Sequence, residues 1–198
     1  MKKSLIGAIV GAIIIFIWQF LSFGMINFHR PAMDYTEKQD AIMSFLNSQG
    51  LKDGGYYLPN YPESASREDV KNYMKNAEGK PWAFVQYHSS MEMDMTMNMI
   101  RGFLVNVVIV FLFIWLLQKM NMATAGSIIT AALAVGLISF FNQPYTGHIW
   151  YKSFDIWAYF MDAIVSWGLT GLWLSWWMRR GTTNRSRYSV AESQQQVA

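Results

Sequence analysis

Hydrophobic positions along the chain form four long segments that are separated by polar stretches. These segments are residues 5–23, 99–117, 123–141 and 156–178. Each is close to the ~20 residues that an α-helix rising about 1.5 Å per residue needs to cross the hydrocarbon core of a bilayer. The pattern predicts an all-α integral membrane protein with a four-helix transmembrane bundle.

The polar part of the chain is concentrated between the first two apolar segments. Residues 27–98 contain four of the five prolines and most of the acidic side chains, without an apolar run of helix length. They are predicted to form one small extracytoplasmic domain of mixed α/β structure, inserted between transmembrane helices 1 and 2. Residues 1–26 are then the first transmembrane helix, residues 99–180 hold the other three, and residues 181–198 are predicted to be a disordered cytoplasmic tail.

The N-terminal segment admits two interpretations, because a Lys-Lys start followed by an apolar run is shared by signal anchors and cleavable signal peptides. The run is longer than a typical signal-peptide core, and residues 22–26 offer no small-residue cleavage site. We therefore expect an uncleaved signal anchor.

Short sequence signals predict two helices and two strands in the inserted domain. Residues 36–39 (Thr-x-x-Gln) and 66–69 (Ser-x-x-Asp) match the capping box that begins a helix. The two helices are expected to end near Gly50 and Gly79. Strand-forming residues bounded by Gly or Pro predict a two-stranded sheet from residues 55–59 and 82–87.

Positive charges predict the orientation of the helices. Most cations near the apolar runs lie in three places: before the first run, between the second and third runs, and after the fourth. They are Lys2, Lys3, Lys119, Arg179, Arg180, Arg185 and Arg187. The opposite short segment, residues 142–155, is predicted to be a loop and carries only Lys152. Because short cytoplasmic segments are enriched in Lys and Arg, we expect both termini in the cytoplasm of a bacterium and a multi-pass protein in its inner membrane. This distribution also explains the pI near 9.1 without a nucleic-acid partner.

Small residues recur at a spacing of four in two of the predicted helices. Gly7 and Gly11 form one such pair, and Ala132 and Gly136 form another. This spacing lets helix backbones approach closely in a membrane. We expect packing within the bundle, with dimerisation as the alternative.

A methionine-rich run lies just before the second apolar segment. Five methionines alternate with polar residues from Met91 to Met99, and His88 precedes them. Thioethers suit Cu(I), so the candidate metal ligands are His88, Met91, Met93, Met95 and Met97. An extended strand would place the sulfurs on one face, whereas a helix would divide them between two. The alternative that we favour is that the run simply begins the second transmembrane helix.

Three polar residues are predicted to meet inside the bundle at one depth. Gln19, Asn106 and Asp162 each lie six residues from the predicted outer boundary of a helix, which is roughly 9 Å. A carboxylate at that depth is costly unless it is paired. We interpret the set as a polar clasp between three helices, with a proton or ion site as the alternative.

Catalytic motifs do not appear in the sequence. The nucleotide-binding, zinc-hydrolase and nucleophile-elbow patterns are absent, and the chain contains no cysteine. We therefore predict a protein that is not an enzyme and has no cofactor, apart from the possible copper. An accessory or scaffold subunit of an inner-membrane assembly is the first expectation. Its partners would be the lipid bilayer and other membrane subunits or further copies of itself. A copper(I)-handling protein and a small transporter are the alternatives.

Several short motifs resemble those of a known group of proteins. They are Trp18-x-Phe20-x-Ser22, residues 55–59 (Gly-Tyr-Tyr-Leu-Pro) and residues 102–106 (Gly-Phe-Leu-Val-Asn). With the layout of residues 4–178, they resemble small four-span bacterial inner-membrane proteins without an established activity. The resemblance implies a fold and a location, and it assigns a role to no residue.

Overall fold

The computed structural model describes residues 1–120 and 124–180, which divide into two units. One unit comprises Met1–Asp34 together with the chain from Asp94, and the other comprises Tyr35–Met93. The predicted tail, residues 181–198, lies outside the described residues.

Helices dominate the structure, and one strand pair lies between the first and fourth of them. In chain order the elements are α1 (Lys2–Phe20), a π-helical turn (Leu21–Met25), a 3₁₀ turn (Arg30–Ala32), α2 (Gln39–Ser48), β1 (Gly54–Leu58), α3 (Arg67–Ala77), β2 (Ala83–Tyr87), α4 (Met95–Lys119), α5 (Ala125–Phe140), a second π-helical turn (Phe141–Tyr145), α6 (Thr146–Trp150) and α7 (Ile156–Arg179).

Three helical stretches are long and apolar enough to cross a membrane. They are Lys2–Met25, Met95–Lys119 and Ala125–Trp150. The fourth predicted segment forms α7, which is equally long at 24 residues. Its five tryptophans, together with Asp162 and several small polar residues, make it less apolar than the other three. The structure thus has three candidate membrane-length apolar helices, which suggests a multi-pass membrane protein.

The third of these stretches is longer than the sequence pattern predicts. Residues 142–155 are expected to form a connecting loop, but the helical path continues through Phe141–Tyr145 and α6 to Trp150. The prediction of a loop is therefore wrong for residues 142–150, while residues 151–155 do connect two helices. Pro144 lies within the π-helical turn, where the backbone departs from α-helical geometry and tolerates a residue without an N–H.

Small residues on α1 bring it into close contact with α4 and α7. A Cβ atom added to Gly11 would lie 2.8 Å from a methyl group of Val110 and 3.3 Å from the methyl group of Thr170. Gly7 is similarly covered by the rings of Trp177 and by Ile114. The predicted small-residue face therefore packs within the chain, because it lets one helix approach two neighbours at once.

A second close contact joins α5 and α7. A Cβ atom on Gly136 would lie 2.6 Å from the carbonyl oxygen of Ala163, and one on Gly171 would lie 2.7 Å from the Cβ atom of Ala132. The core between the four long helices is correspondingly dense. Its completely or almost completely buried side chains include Ala8, Val110, Ile114, Leu117, Ile128 and Leu174.

The Tyr35–Met93 unit contains the predicted hairpin and second helix. Strand β1 pairs antiparallel with β2, and Tyr56 lies opposite Val85. At the start of α3, Ser66 Oγ accepts a hydrogen bond from Asp69 N at 3.1 Å, and Asp69 Oδ2 accepts one from Ser66 N at 3.1 Å. This capping box confirms the predicted helix start, and Gly79 follows the helix with a φ of +75°.

The first helix of this unit begins differently from the prediction. Thr36 was expected to cap it, but α2 begins only at Gln39 and has no side-chain cap. Thr36 Oγ1 instead accepts a hydrogen bond from Lys38 N at 3.3 Å, a local turn that competes with the capping geometry. The predicted end is confirmed by Gly50, which has a φ of +64°.

Burial in the Tyr35–Met93 unit is sparse. Tyr87 is its only buried residue, and the Tyr87 hydroxyl donates to Asn47 Oδ1 at 2.8 Å. Large apolar side chains are exposed on α2, on α3 and around the hairpin: Ile42, Met43, Phe45, Met74, Trp82 and Phe84. The sheet and helices therefore enclose almost no core of their own.

The α5–α7 contact yields a paired test of helix packing. Gly136→Ala should lower the free energy of unfolding by about 1–3 kcal/mol, because the new methyl group collides with the backbone of α7. Gly126→Ala is the matched control on the same helix, where an added Cβ meets nothing within 4 Å. It should be neutral or stabilise by up to about 1 kcal/mol. Unfolding in detergent measures both, and equal effects would contradict the packing.

Candidate functional site: a buried histidine between two carboxylates

The chain reverses direction immediately after α1, and this reversal places His29. The π-helical turn Leu21–Met25 widens the end of the helix, and Asn27 adopts a left-handed conformation with a φ of +58°. The N–H of Phe28 then donates to the carbonyl oxygen of Ser22 at 2.9 Å. Asn tolerates this backbone conformation better than most residues, and π-helical turns are common at functional sites.

His29 is completely buried, and each nitrogen of its ring faces a carboxylate. Nδ1 lies 2.8 Å from Asp155 Oδ2, and Nε2 lies 3.0 Å from Asp162 Oδ2. Phe23 stacks on the imidazole with a centroid distance of 3.7 Å and an interplanar angle of 5°. Tyr159 contacts it edge-on at 4.7 Å. The ring is therefore fixed both in its plane and along its two hydrogen-bonding directions.

The two carboxylates occupy one face of α7. Asp155 precedes the first residue of the helix and Asp162 lies seven residues later, which is two helical turns. The carboxylate of Asp155 makes no capping bond to the backbone of α7 and bonds to His29 instead. This spacing lets one imidazole reach both carboxylates with its opposite nitrogens.

Asp162 is the most heavily bonded member of the cluster. Its Oδ1 accepts hydrogen bonds from Trp18 Nε1 at 2.9 Å and from Ser22 Oγ at 2.6 Å, while its Oδ2 faces His29. The side chain is 18% exposed, in contrast to the fully enclosed imidazole. These contacts join the end of α1 and the following turn to α7. In the described residues, no buried side-chain oxygen or nitrogen lacks a hydrogen-bond partner.

The predicted trio of polar residues is divided between two neighbouring contacts. Asn106 Nδ2 donates to Gln19 Oε1 at 2.9 Å, which joins α1 to α4. Asp162 bonds to Trp18, Ser22 and His29 rather than to either amide. The reason lies in helical rotation, because adjacent residues on α1 differ by about 100° and Trp18 and Gln19 therefore face different helices.

The polar face of α7 does not continue as a chain of side chains beyond Asp162. Ser166 Oγ donates to the carbonyl oxygen of Asp162 at 2.5 Å, and Thr170 Oγ1 donates to that of Ser166 at 2.7 Å. Both hydroxyls thus satisfy their hydrogen bonds on the backbone of their own helix, as Ser and Thr often do within helices.

A second set of polar contacts joins α1 and α7 at the other end. Lys3 Nζ donates to the carbonyl oxygen of Met178 at 2.9 Å and also to that of Arg180. Trp177 Nε1 donates to the carbonyl oxygen of Lys3 at 2.9 Å, and Trp173 Nε1 to that of Gly7 at 3.2 Å. The terminal carbonyls of α7, which lack partners within the helix, are thereby satisfied by a cation.

The methionine run is divided between irregular chain and helix. Met91 and Met93 precede α4, whereas Met95 and Met97 lie in its first turn. Asp94 caps this helix, since its Oδ1 accepts a hydrogen bond from Met97 N at 2.9 Å. The extended alternative is therefore wrong from Met95 onward, because the capped helix turns successive sulfurs to different faces.

An open groove in the Tyr35–Met93 unit nevertheless contains part of the predicted metal set. Met91, Met93 and His88 line it together with Met43, which sequence reasoning did not include, and its volume is about 580 Å³. Asp53 lines the same groove, and the hydrogen bond from the Ser89 N–H holds the pKa of its carboxyl below the usual value. Thioethers and an imidazole are ligands that suit Cu(I).

The His29 cluster has different chemistry from a metal centre. A metal ion bound at one ring nitrogen could reach only one of the two carboxylates, because they lie at opposite nitrogens. Throughout residues 1–120 and 124–180, no group of three or more His, Asp or Glu side chains is arranged to hold a metal ion. The arrangement is instead a hydrogen-bonded cluster of one imidazole and two carboxylates.

Comparisons with protein-family models, with curated proteins and with solved structures find no match to this chain.

His29 is the residue that sequence reasoning missed. It follows the first apolar run by a few residues, and the sequence pattern assigns it no partner. The available signal was the seven-residue spacing of Asp155 and Asp162, which predicts two carboxylates on one face that need a partner. Among the residues near the same predicted boundary, His29 was a candidate for that partner.

Substitution of Asp162 tests how strongly the cluster holds α1 to α7. Asp162→Leu should lower the free energy of unfolding by about 3–5 kcal/mol, since it leaves Trp18, Ser22 and the imidazole without their buried partner. Asp162→Asn should cost much less, because the amide oxygen accepts from Trp18 and Ser22 and the amide N–H₂ donates to the imidazole. Denaturant unfolding in detergent measures both.

The neighbouring Met161 provides the control for this substitution. Its side chain is exposed, so Met161→Leu should leave stability almost unchanged. If Asp162→Leu lowers the free energy of unfolding no more than Met161→Leu does, the cluster does not hold α1 to α7.

Proposed function

We propose that the chain is a four-span integral membrane protein in which α7 is the fourth transmembrane helix. The support is that α7 has the required length and packs against α1 and α5, both of which belong to membrane-length apolar stretches. Its polar residues at positions 162, 166 and 170 bond to other helices or to its own backbone, and they therefore need no water.

The same proposal places the protein in a bacterial inner membrane with both termini in the cytoplasm. Lys2, Lys3, Lys119, Arg179 and Arg180 are at the ends of helices that this topology assigns to the cytoplasmic side. Short cytoplasmic segments carry such an excess of Lys and Arg. The Tyr35–Met93 unit would then lie outside the cytoplasm.

For the biochemical role, we propose a non-enzymatic accessory or scaffold subunit of a membrane assembly. The observation that carries this proposal is the sparse burial of the Tyr35–Met93 unit, which buries only Tyr87 and exposes several large apolar side chains. A unit of this size with so little core is marginal by itself. Exposed apolar surface of this kind is typical of a partner-binding site.

The helices supply the stable base that such a subunit needs. Polar contacts fix α1 to α7 at both ends, through Lys3 and Trp177 at one end and through Asp162 and His29 at the other. The outward surface of α4 is apolar and exposed, as lipid or a neighbouring subunit requires: Leu104, Val105, Val108, Leu112 and Leu116. The proposal includes no nucleic-acid partner, because the topology accounts for the cations.

A copper(I)-handling role is a second candidate, and the groove lined by His88, Met43, Met91 and Met93 favours it. Three thioethers and one imidazole provide the soft ligands that Cu(I) prefers. The transporter alternative has weaker support, because the hydroxyls of Ser166 and Thr170 are bonded to backbone and do not extend a polar path.

Cysteine labelling tests the topology directly, because the chain has no native cysteine. Single variants Ser48→Cys, Thr146→Cys and Thr183→Cys are exposed in intact cells to a thiol reagent that cannot cross membranes. Positions 48 and 146 should react, and position 183 should react only after the membrane is permeabilised. Reaction at position 183 in intact cells, or protection at position 146, would contradict the four-span topology.

Purification of the full chain from its native membrane in mild detergent tests its role. A scaffold subunit should carry a protein partner in a fixed ratio, and Phe45→Lys should abolish this association by placing a charge in the apolar surface of α2. Ser44→Lys is the matched control, since Ser44 is an exposed polar neighbour on the same helix. Loss of the partner in both variants would indicate a general charge effect and contradict the proposed surface.

The same preparation distinguishes the copper alternative. A copper protein should hold Cu(I) against a competing chelator of known affinity, and replacement of Met43, Met91 and Met93 by Leu should release the metal without loss of the helical fold. Purified chain without a partner and without copper would contradict both roles.

A further inference from the structure

The contacts of His29 determine how many protons the buried cluster holds. Nδ1 and Nε2 each lie within hydrogen-bond distance of a carboxylate oxygen, at 2.8 Å from Asp155 and 3.0 Å from Asp162. Two acceptors do not approach so closely, so each contact needs one proton between its atoms. A neutral imidazole supplies one N–H and a carboxylate supplies none. The cluster therefore holds two protons among three titratable groups.

The surroundings of the two carboxylates favour their charged forms. Asp162 Oδ1 accepts two further hydrogen bonds, from Trp18 and from Ser22, and donors of this kind stabilise an ionised carboxylate. Asp155 lies at the N-terminus of α7, where the helix dipole also favours negative charge. With both carboxylates ionised, both protons lie on His29, which is then an imidazolium. Stacking of the Phe23 ring on its face is favourable to that cation.

The environment of the imidazole contains few other titratable groups. From α7 it faces Asp155, Asp162 and the ring of Tyr159, and the turn that follows α1 contributes Phe23, which does not titrate. Among the described residues, Asp162 accepts hydrogen bonds from the neutral donors Trp18 and Ser22 and faces His29. Within the described ranges, no Lys or Arg forms an ion pair with either carboxylate. With the protons distributed in this way, two carboxylates and one imidazolium give the cluster a net charge of about −1.

We propose that His29, Asp155 and Asp162 form a reversible proton-binding site, whose hydrogen bonds hold the turn after α1 against the start of α7. The bound ligand is the second proton of the imidazole. Its release leaves a ring nitrogen and a carboxylate oxygen facing each other as two acceptors. The hydrogen bond between them is then lost, and the two groups move apart.

The fold confines the effect of this proton to one end of the helix pair. At the other end, α1 and α7 are joined by Lys3, Trp173 and Trp177, whose bonds go to backbone carbonyl oxygens. The bond between Gln19 and Asn106 is uncharged on both sides. Loss of the proton therefore loosens the turn that contains His29 while the rest of the bundle stays packed. This inference is independent of the proposed scaffold role.

Nitrogen NMR of the imidazole tests the proposal on the full chain. The protein has three histidines, so His88→Gln with His148→Gln leaves His29 as the only source of imidazole-nitrogen signals. At neutral pH in detergent, both nitrogens of His29 should carry a proton. Addition of Asp162→Asn should leave a proton on one nitrogen only, because the amide N–H₂ now donates to Nε2. A singly protonated ring in the protein with Asp162 intact would overturn the proposal.

Unfolding as a function of pH tests whether the proton is released reversibly. His29→Gln removes the titratable ring and leaves an amide that can still donate and accept. The stability difference between wild type and His29→Gln should disappear as the pH is raised and return when the pH is lowered again. Gln19→Leu is the matched control, because it breaks an uncharged bond on the same helix. Its stability loss should not depend on pH.

Each result of the pH series decides the question. A His29→Gln difference that stays constant across the series would show a permanent structural contact and overturn the reversible site. An equal pH dependence in Gln19→Leu would attribute the effect to the bundle as a whole and also overturn it. If His29→Gln fails to fold, the Asp162→Asn variant takes its place in the series with the same expected outcome.

Discussion

A buried charge in a helix bundle must be paired, and the pairing of His29 with two carboxylates is the constraint on which the arrangement of α1 and α7 depends. Asp155 and Asp162 would be costly in an apolar environment without a partner. The chain supplies that partner from the turn after α1, which needs a π-helical turn and a left-handed Asn27 to return His29 to the helix. The need to pair the two carboxylates thus explains the uncommon backbone geometry of the π-helical turn and Asn27.

Apolar packing and polar contacts stabilise different parts of the same helix pair. Along its middle, α1 meets its neighbours with Gly7, Ala8 and Gly11, where the small side chains let backbones approach and dispersion contacts accumulate. Polar side chains lie toward its two ends, where they satisfy helix carbonyls or carboxylates. The small residues set the distance between the helices, whereas the polar contacts set their register.

The extent to which sequence predicts this fold depends on the range of the interaction. Periodicity and capping signals predicted the long helices, the hairpin and the start of α3 at Ser66, because these features are determined by nearby residues. The start of α2 was missed, since Thr36 has a competing local bond that the pattern cannot reveal. Helix α7 was predicted in position, yet its tryptophans lower its apolar character below that of the other three.

The residues of the candidate site are harder to predict from sequence than the helices are. Sequence reasoning identified Asp162, Gln19 and Asn106 by depth alone, and depth does not include the angular position of a residue around its helix. Gln19 and Trp18 are adjacent in sequence but face α4 and α7, respectively, so the amide pair and the carboxylate belong to separate contacts. Met43 was missed for a related reason, because it reaches the methionine groove through the fold rather than through the run itself.

The two units of the chain differ in what stabilises them. In the helical unit, large side chains such as Ile114, Leu117 and Leu174 are almost completely buried. In the Tyr35–Met93 unit, the hairpin and the capped helix are held by backbone pairing, local hydrogen bonds and one buried tyrosine. Because apolar burial is the dominant favourable term in folding, such a unit gains most from additional apolar contact. If the proposed partner covers Phe45 and Trp82, its binding should therefore also stabilise the fold of this unit.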